Sequence, residues 1–179
     1  MSFFVTSTAP GSGNLKGLAG ADAHCLALAT AAGSQKREWR AYLSAPGPDG
    51  QSPVHARDRI GRGPWLNAVG VEVAADVVEL HSAANGLGLS TSLDERGRPV
   101  RIGAHDMLTG SNPDGTLASS DLTCRGWTST AGDAMVGHHN EGGGERPPTW
   151  NSAHTIAGCS ALALASSDGA GLFYCFAAD

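Results

Sequence analysis

The sequence predicts a single α+β domain, residues 1–179, in which long ordered loops connect a few short elements. Three observations predict this fold class. The length of 179 residues is close to the roughly 150 residues of a typical domain. One segment has the periodicity of an amphipathic helix, and several short runs are rich in aromatic and β-branched residues. Glycine, with 25 residues, is about twice as frequent as the usual ~7%, which favours loops.

Composition and charge exclude several classes of protein. Hydrophobic residues make up 41% of the chain and charged residues 16%, which excludes a charge-rich disordered chain. No apolar run reaches the roughly 18 residues of a membrane-spanning helix. The net charge is −5 and the arginines are scattered, so the basic surface that nucleic-acid binding requires is missing. We therefore expect neither nucleic-acid binding nor membrane insertion.

The chain begins with a predicted strand, residues 3–6, of aromatic and β-branched side chains. This start lacks the charged segment, apolar run and cleavage site of a secretory signal. Because structure is expected to begin at once, our hypothesis is that an export signal has been removed and that Met1 does not belong to the natural chain.

The first predicted helix covers residues 15–32 and ends at Gly33. Its apolar side chains recur at steps of three and four residues and predict one buried stripe, made of Leu18, Ala21, Cys25, Leu28, Ala29 and Ala32. Asp22 falls close to this stripe. Because a buried carboxylate must be hydrogen-bonded, we expect Asp22 to accept from backbone amides of a neighbouring loop rather than to act in catalysis.

The rest of the chain alternates short elements with turns and loops. Strand-like runs occur at residues 39–44, 64–67, 71–74 and 171–177, and residues 76–81 have the pattern of one or two helical turns. Turn or loop segments are expected at residues 46–50, at the charged residues 54–63, and over most of residues 85–154, where glycine and proline are frequent.

The four cysteines, Cys25, Cys124, Cys159 and Cys175, lack the paired spacing of a structural zinc site. Their even number and long gaps leave two interpretations open. They are either four buried thiols in a cytosolic protein or two disulfides in an exported one, with three pairings to choose from.

Five short segments, in order, resemble the endostatin family, which belongs to the wider C-type lectin-like fold. They are GADAHC at residues 20–25, WRAYLS at 39–44, LTGSNPDG at 108–115, CRGW at 124–127 and LFYC at 172–175. The composition is also similar to that of the lectin-like domains of exported bacterial proteins. The resemblance implies a C-type lectin-like domain with two nested disulfides, Cys25–Cys175 and Cys124–Cys159. It also implies a secreted, periplasmic or cell-surface location.

Calcium-dependent sugar binding is the first function that the resemblance raises. Many proteins of this fold bind calcium through a Glu/Gln-Pro-Asn/Asp tripeptide and a later Trp-Asn-Asp. The corresponding runs here are Asn112-Pro113-Asp114 and Trp150-Asn151-Ser152. A neutral Asn112 and a serine at position 152 provide fewer anionic ligands than calcium prefers. The first run also has the sequence of a β-turn.

A second candidate site is the loop region 138–154, where metal-ligating and hydrogen-bonding side chains cluster: His138, His139, Asn140, Glu141, Glu145, Asn151 and His154. Imidazole and carboxylate groups suit zinc, although two adjacent histidines point in different directions on an extended backbone. Without a metal, the same loop could bind a glycan by stacking the Trp150 indole on a sugar ring. A third interpretation places Trp150 in the core of a purely structural loop.

No catalytic motif is present, and disulfide formation would remove every thiol nucleophile. The carboxylate pairs Asp94/Glu95 and Glu141/Glu145 are expected in exposed loops. We therefore expect an extracytoplasmic recognition module, not an enzyme, that binds a glycan through region 138–154. The alternative is a structural or adhesive module for protein surfaces. The candidate metal ligands are Asn112, Asp114, Asn151 and His154; calcium and zinc are the candidate ions, and neither is assigned.

Overall fold

The computed structural model describes residues 1–101, 103–119, 121–144 and 148–179. Within these residues the chain forms nine strands, four short or medium right-handed helices, and a helix-like turn with positive φ at Cys124–Trp127. The strands are β1 (Phe3–Val5), β2 (Trp39–Ala41), β3 (Trp65–Leu66), β4 (Glu72–Ala74), β5 (Asp106–Leu108), β6 (Ala134–His138), β7 (His154–Ile156), β8 (Gly169–Leu172) and β9 (Tyr174–Ala177). The helices are α1 (Gly17–Ala31), α2 (Ala56–Arg59), α3 (Val77–Leu80) and α4 (Ala161–Ala165). A 3₁₀ turn covers Pro48–Gly50. The domain is therefore of the α+β class, as predicted.

A three-stranded antiparallel sheet joins the two ends of the chain. Strand β9 lies between β1 and β2, and Cys175 pairs with Phe4 on one side and Ala41 on the other. The strands predicted at the amino terminus and at residues 39–44 are confirmed, although β2 ends at Ala41. The last predicted strand is wrong as a single element, because β8 and β9 belong to different sheets. The chain changes sheet at Phe173, whose carbonyl accepts from the Thr6 amide and whose amide donates to the Thr6 hydroxyl.

Helix α1 packs against β2 with Ala21, Cys25 and Ala29 buried. Gly33 has a φ of 83°, as expected of the residue that ends a helix. The prediction that Ala32 belongs to the buried stripe is wrong. The helix ends at Ala31, and Ala32 is exposed. Asp22 accepts from the Ala41 amide at 2.9 Å, which confirms its predicted backbone role. It also binds the Arg59 guanidinium at 2.8 Å.

All four cysteines form disulfides, Cys25–Cys175 and Cys124–Cys159. This is the pairing that the family resemblance implied. The first bond ties helix α1 to the central strand of the three-stranded sheet. Because disulfides persist in oxidising compartments, the pair indicates an extracytoplasmic environment.

A four-stranded sheet has the order β7-β6-β5-β8, antiparallel except for the parallel β5–β8 pair. Strands β5 and β6 and the start of β7 lie within residues 85–154, where loops were predicted over most of the segment. Loops do cover most of it, but the prediction missed these strands, which have three to five residues each. They are stabilised by pairing across long sequence separations, which local composition does not reveal.

Two further expectations about exposed segments also need correction. The predicted charged loop at residues 54–63 contains helix α2, and its Ala56 and Ile60 are fully buried. Asp94 and Glu95 are buried rather than exposed. Asp94 accepts from the amides of Arg96 and Arg98, and Glu95 accepts from the amide and hydroxyl of Ser7. These carboxylates are therefore structural.

The strand-like runs at residues 64–67 and 71–74 form strands β3 and β4, which pair as a hairpin. The helical turns predicted at residues 76–81 form helix α3, which Asp76 caps by accepting from the Glu79 amide at 2.8 Å. Both predictions are confirmed. Among the described residues, no helix has the length and apolar character needed to cross a membrane.

Candidate metal centre

Asp106, the first residue of β5, is a buried carboxylate that lacks the hydrogen bonds such a group needs. Its two oxygens accept no hydrogen bond from any of the described residues. The other buried carboxylates, Asp94 and Glu95, each accept several. Because an uncompensated buried charge costs several kcal/mol or more, Asp106 requires a cationic partner.

Three imidazole rings surround this carboxylate. His105 Nε2 lies 3.5 Å from Asp106 Oδ1, and His138 Nε2 lies 3.4 Å from the same oxygen. On the other side, His154 Nε2 lies 3.4 Å from Oδ2. The ring centroids of His105 and His138 are 4.3 Å apart. These four residues, His105, Asp106, His138 and His154, form what we call the His–Asp cluster.

Strand pairing brings most of the cluster together. Asp106 is the direct cross-strand partner of His138 in the β5–β6 pair, so both side chains project from the same face. His154 pairs with Val136, two residues before His138 and therefore on that face as well. The cluster thus draws one residue from each of three neighbouring strands.

His105 reaches the same place through an irregularity in the sheet. The amides of His105 and Asp106 both point to the Asp168 carbonyl, at 2.8 and 3.3 Å, and the β5–β8 register shifts after Asp106. Bulges of this kind re-aim side chains. Two successive residues therefore contribute to one site, which regular strand alternation would not allow.

The partners of the second ring nitrogens fix the orientation of two histidines. His138 Nδ1 lies 3.3 Å from Glu141 Oε2, and that oxygen also accepts from the Thr149 hydroxyl at 2.7 Å. His154 Nδ1 lies 3.3 Å from the Thr155 carbonyl oxygen. Both oxygens can only accept, so a ring that is protonated at Nδ1 has a hydrogen-bond partner there and keeps the Nε2 lone pair for an ion shared with Asp106.

His139 does not belong to the cluster. It is buried, and burial, followed by the nearby His105 and His138, lowers the pKa of His139 to about 4. The expectation that adjacent histidines cannot share one ion therefore agrees with the geometry. Only His138 of the pair faces Asp106.

The other residues predicted in region 138–154 take different positions. Trp150 and Asn151 are fully buried, and Trp150 packs against Tyr42 and Tyr174. The indole face is consequently inaccessible to a sugar ring, contrary to the glycan platform expected from the sequence. Asn140 is exposed away from this core. Glu145 lies outside the described residues.

The predicted calcium ligands are engaged elsewhere. The Gly115 amide donates to the Asn112 carbonyl at 2.9 Å, which forms the β-turn expected for this run. Asp114 accepts from the amide and hydroxyl of Thr116, and Asn151 donates to Asn112 and Pro113 carbonyls and to Tyr42. Asn112, Asp114 and Asn151 thus make the hydrogen bonds that stabilise this turn.

Sequence reasoning identified His138, Glu141 and His154 but missed His105 and Asp106. The missed pair lies about thirty residues before the loop cluster, next to Gly103 and an apolar Met-Leu run. A His-Asp dipeptide at the start of a short apolar run is the only local signal. It becomes informative once β5 is known to pair with β6.

The donor set has the chemistry of a transition-metal site. A tetrahedral ion with metal–ligand bonds of about 2.0–2.1 Å holds its ligand atoms roughly 3.3–3.4 Å apart. The measured nitrogen–oxygen separations are 3.4–3.5 Å. Imidazole nitrogens with one carboxylate suit zinc, whereas calcium requires six to eight oxygen ligands.

No protein-family model matches this chain, and no curated protein is similar to it.

Proposed function

We propose that this domain is an extracytoplasmic binding module whose functional centre is a zinc-type metal site held by His105, Asp106 and His138. The observation that carries the proposal is the Asp106 carboxylate, buried and without a hydrogen-bond donor among the described residues, with imidazole nitrogens 3.4 and 3.5 Å away. A carboxylate oxygen and an imidazole nitrogen attract each other only when a proton or a metal ion lies between them, and a single metal ion serves all three residues at once. The arrangement is therefore the one expected of ligands that share an ion.

Glu141 supports the same proposal from outside the ligand set. A metal-binding histidine usually donates its second ring N–H to a carboxylate or carbonyl, which fixes the ring and increases its basicity. His138 has this arrangement with Glu141, which Thr149 orients in turn. Such a support is unnecessary for a surface histidine without a ligand.

The wider setting of the module also forms part of the proposal. We infer a C-type lectin-like fold of the endostatin type and a secreted, periplasmic or cell-surface location. The disulfide pairing and the oxidising environment it requires support both. The role we propose is binding, and the disulfides leave none of the four cysteines as a thiol nucleophile. A bacterial origin and glycan recognition remain hypotheses that rest on the family resemblance alone.

Zinc binding by the oxidised, metal-free protein tests the proposal. The protein is produced without a polyhistidine tag, treated with a chelator, and titrated with zinc and separately with calcium by isothermal calorimetry. We expect one zinc ion per chain and no calcium binding at this site. His138→Ala and Asp106→Asn should each lose zinc binding, because each removes a ligand from the set.

His24→Ala is the matched control, since His24 lies on helix α1, bonds to the Thr8 carbonyl and contacts the Phe173 ring, and is not part of the His–Asp cluster. It should bind zinc like the wild type. Absence of zinc binding by the wild type would overturn the proposal and favour protonated histidines that neutralise Asp106 without a metal. Equal zinc affinity of wild type and His138→Ala would also contradict it.

A further inference from the structure

Building on the proposed metal site, we propose that its fourth coordination position is exchangeable. His154 occupies it at rest and yields it to an imidazole or carboxylate group of a binding partner. In the exchange, the bond between the metal and His154 Nε2 breaks as the bond to the incoming lone pair forms. The ion keeps four ligands and its oxidation state, and no proton is transferred when the incoming donor is unprotonated.

The geometry separates His154 from the other three ligands. One donor atom each from His105, Asp106 and His138 lie within 4.8 Å of one another, whereas His154 is outside this set and must move towards the ion to become its fourth ligand. His154 approaches Asp106 through the opposite carboxylate oxygen, Oδ2. Three protein ligands and one replaceable position are the composition of open zinc sites, whereas closed structural sites use four fixed ligands.

The exposed fractions of the four side chains also separate His154 from the other three residues. The exposed fraction of the side chain is 1% for Asp106, 17% for His138, 35% for His105 and 44% for His154. His154 is the first residue of β7, an edge strand of its sheet. An incoming donor therefore reaches the centre from the side of His154 without moving a buried residue.

The groups that contact Nδ1 of His138 and Nδ1 of His154 also differ. His138 is held by the Glu141 carboxylate, which Thr149 fixes, whereas His154 is held by the carbonyl of its own neighbour, Thr155. A charged acceptor makes the stronger hydrogen bond and increases the basicity of the ligand. His154 is therefore the weaker ligand and the one that exchanges.

Cobalt(II), which reports its coordination through visible absorption, tests this inference on the oxidised full chain. Wild type, His154→Ala, His138→Ala and the control His24→Ala are loaded with cobalt and titrated with imidazole and with acetate. We expect wild type to bind cobalt and to change its spectrum on addition of imidazole. His154→Ala should retain cobalt with an affinity at most about 10–100-fold weaker, a loss no larger than that caused by removing a group that only supports a ligand, because three ligands remain. It should bind imidazole more tightly than wild type, because imidazole then has no competing side chain.

The outcomes distinguish this inference from the proposed function. If wild type binds neither cobalt nor zinc, the metal site itself is wrong. If wild type binds metal and His154→Ala loses it as completely as His138→Ala, the metal site stands and the exchangeable position is overturned, because His154 is then a permanent ligand. A wild-type spectrum that neither donor alters, with His154→Ala equally unresponsive, would also overturn it.

Discussion

At the scale of single residues, the buried and half-buried carboxylates that the structure describes differ in their partners. Asp22, Asp94 and Glu95 each accept from backbone amides, and Asp22 also binds Arg59. Such contacts compensate for the loss of hydration. Asp106 receives none from the described residues. Because the carboxylates that stabilise the fold all have hydrogen-bond donors, the lack of a described donor at Asp106 indicates that this carboxylate binds a ligand.

His81 provides a prediction about the dependence of stability on pH. Its Nδ1 lies 2.7 Å from the Val77 carbonyl oxygen, and the Tyr42 hydroxyl donates to Nε2 at 2.7 Å. Asn151 in turn donates to the Tyr42 oxygen at 2.8 Å. Both ring nitrogens are thus used by the neutral imidazole. Burial lowers the pKa of His81 below its usual 6.5.

Because the folded pKa lies below the unfolded one, the unfolded state binds the proton more readily. The stabilising contribution is therefore complete above pH 6.5 and is lost as the pH falls through the folded pKa. We expect His81→Gln to reduce the loss of unfolding free energy between about pH 7.5 and pH 5. Urea denaturation in the presence of a chelator measures the unfolding free energy at each pH, and His24→Gln is the control. If the unfolding free energy of wild type and of His81→Gln fell equally with pH, this prediction would be contradicted.

At the scale of elements, strand β6 carries the site because its Gly137 admits another segment of chain. A side chain at Gly137 would overlap the carbonyl oxygen of Trp150. The chain near Trp150 bonds to β6 on both sides of this glycine, through His138 N to Thr149 O and Ala153 N to Val136 O. This close approach sets the path from His138 to His154.

Gly137→Ala should therefore lower both the unfolding free energy and the zinc affinity. Overpacking of this kind usually costs about 1–3 kcal/mol, and displacement of Trp150 would shift His154 relative to Asp106. Gly88→Ala is the control, since a Cβ there meets nothing within 4 Å and φ is not in the left-handed region. It should change stability by less than about 0.5 kcal/mol. Equal effects of the two substitutions would refute the role of the close approach.

The elements also show what the sequence could and could not predict. Helix α1 and the strands β1, β3 and β4 were predicted because their signals are local: periodicity, and short runs of aromatic and β-branched residues. The pairing of β3 with β4 comes from the structure. The β5–β8 pair joins residues about sixty positions apart, and no local pattern encodes it. For the same reason His138 and His154 were found as neighbours in one loop region, whereas His105 and Asp106 required the sheet and its bulge.

At the scale of the whole molecule, the two disulfides stabilise different parts. Cys25–Cys175 spans 150 residues and joins helix α1 to the strand that holds both chain ends. Cys124–Cys159 spans 35 residues and encloses β6 and β7, the strands of His138 and His154. Cys124 itself belongs to a turn, Cys124–Trp127, in which all four residues have positive φ. The second disulfide is thus close in sequence to His138 and His154 of the metal centre, whereas the first stabilises the domain as a whole.

Removing each disulfide should therefore have a different principal effect. By loop entropy, Cys25→Ala/Cys175→Ala should lower the unfolding free energy by about 1.3 kcal/mol more than Cys124→Ala/Cys159→Ala, because the closed loop is longer. Relief of the unfavourable left-handed turn at Cys124 adds to this difference. Zinc affinity should follow the opposite order, since loss of Cys124–Cys159 loosens the ends of the strands that carry His138 and His154. Guanidinium denaturation and zinc titration of both variants measure the two quantities, and a single variant that proves worse in both would show that the disulfides do not divide these roles.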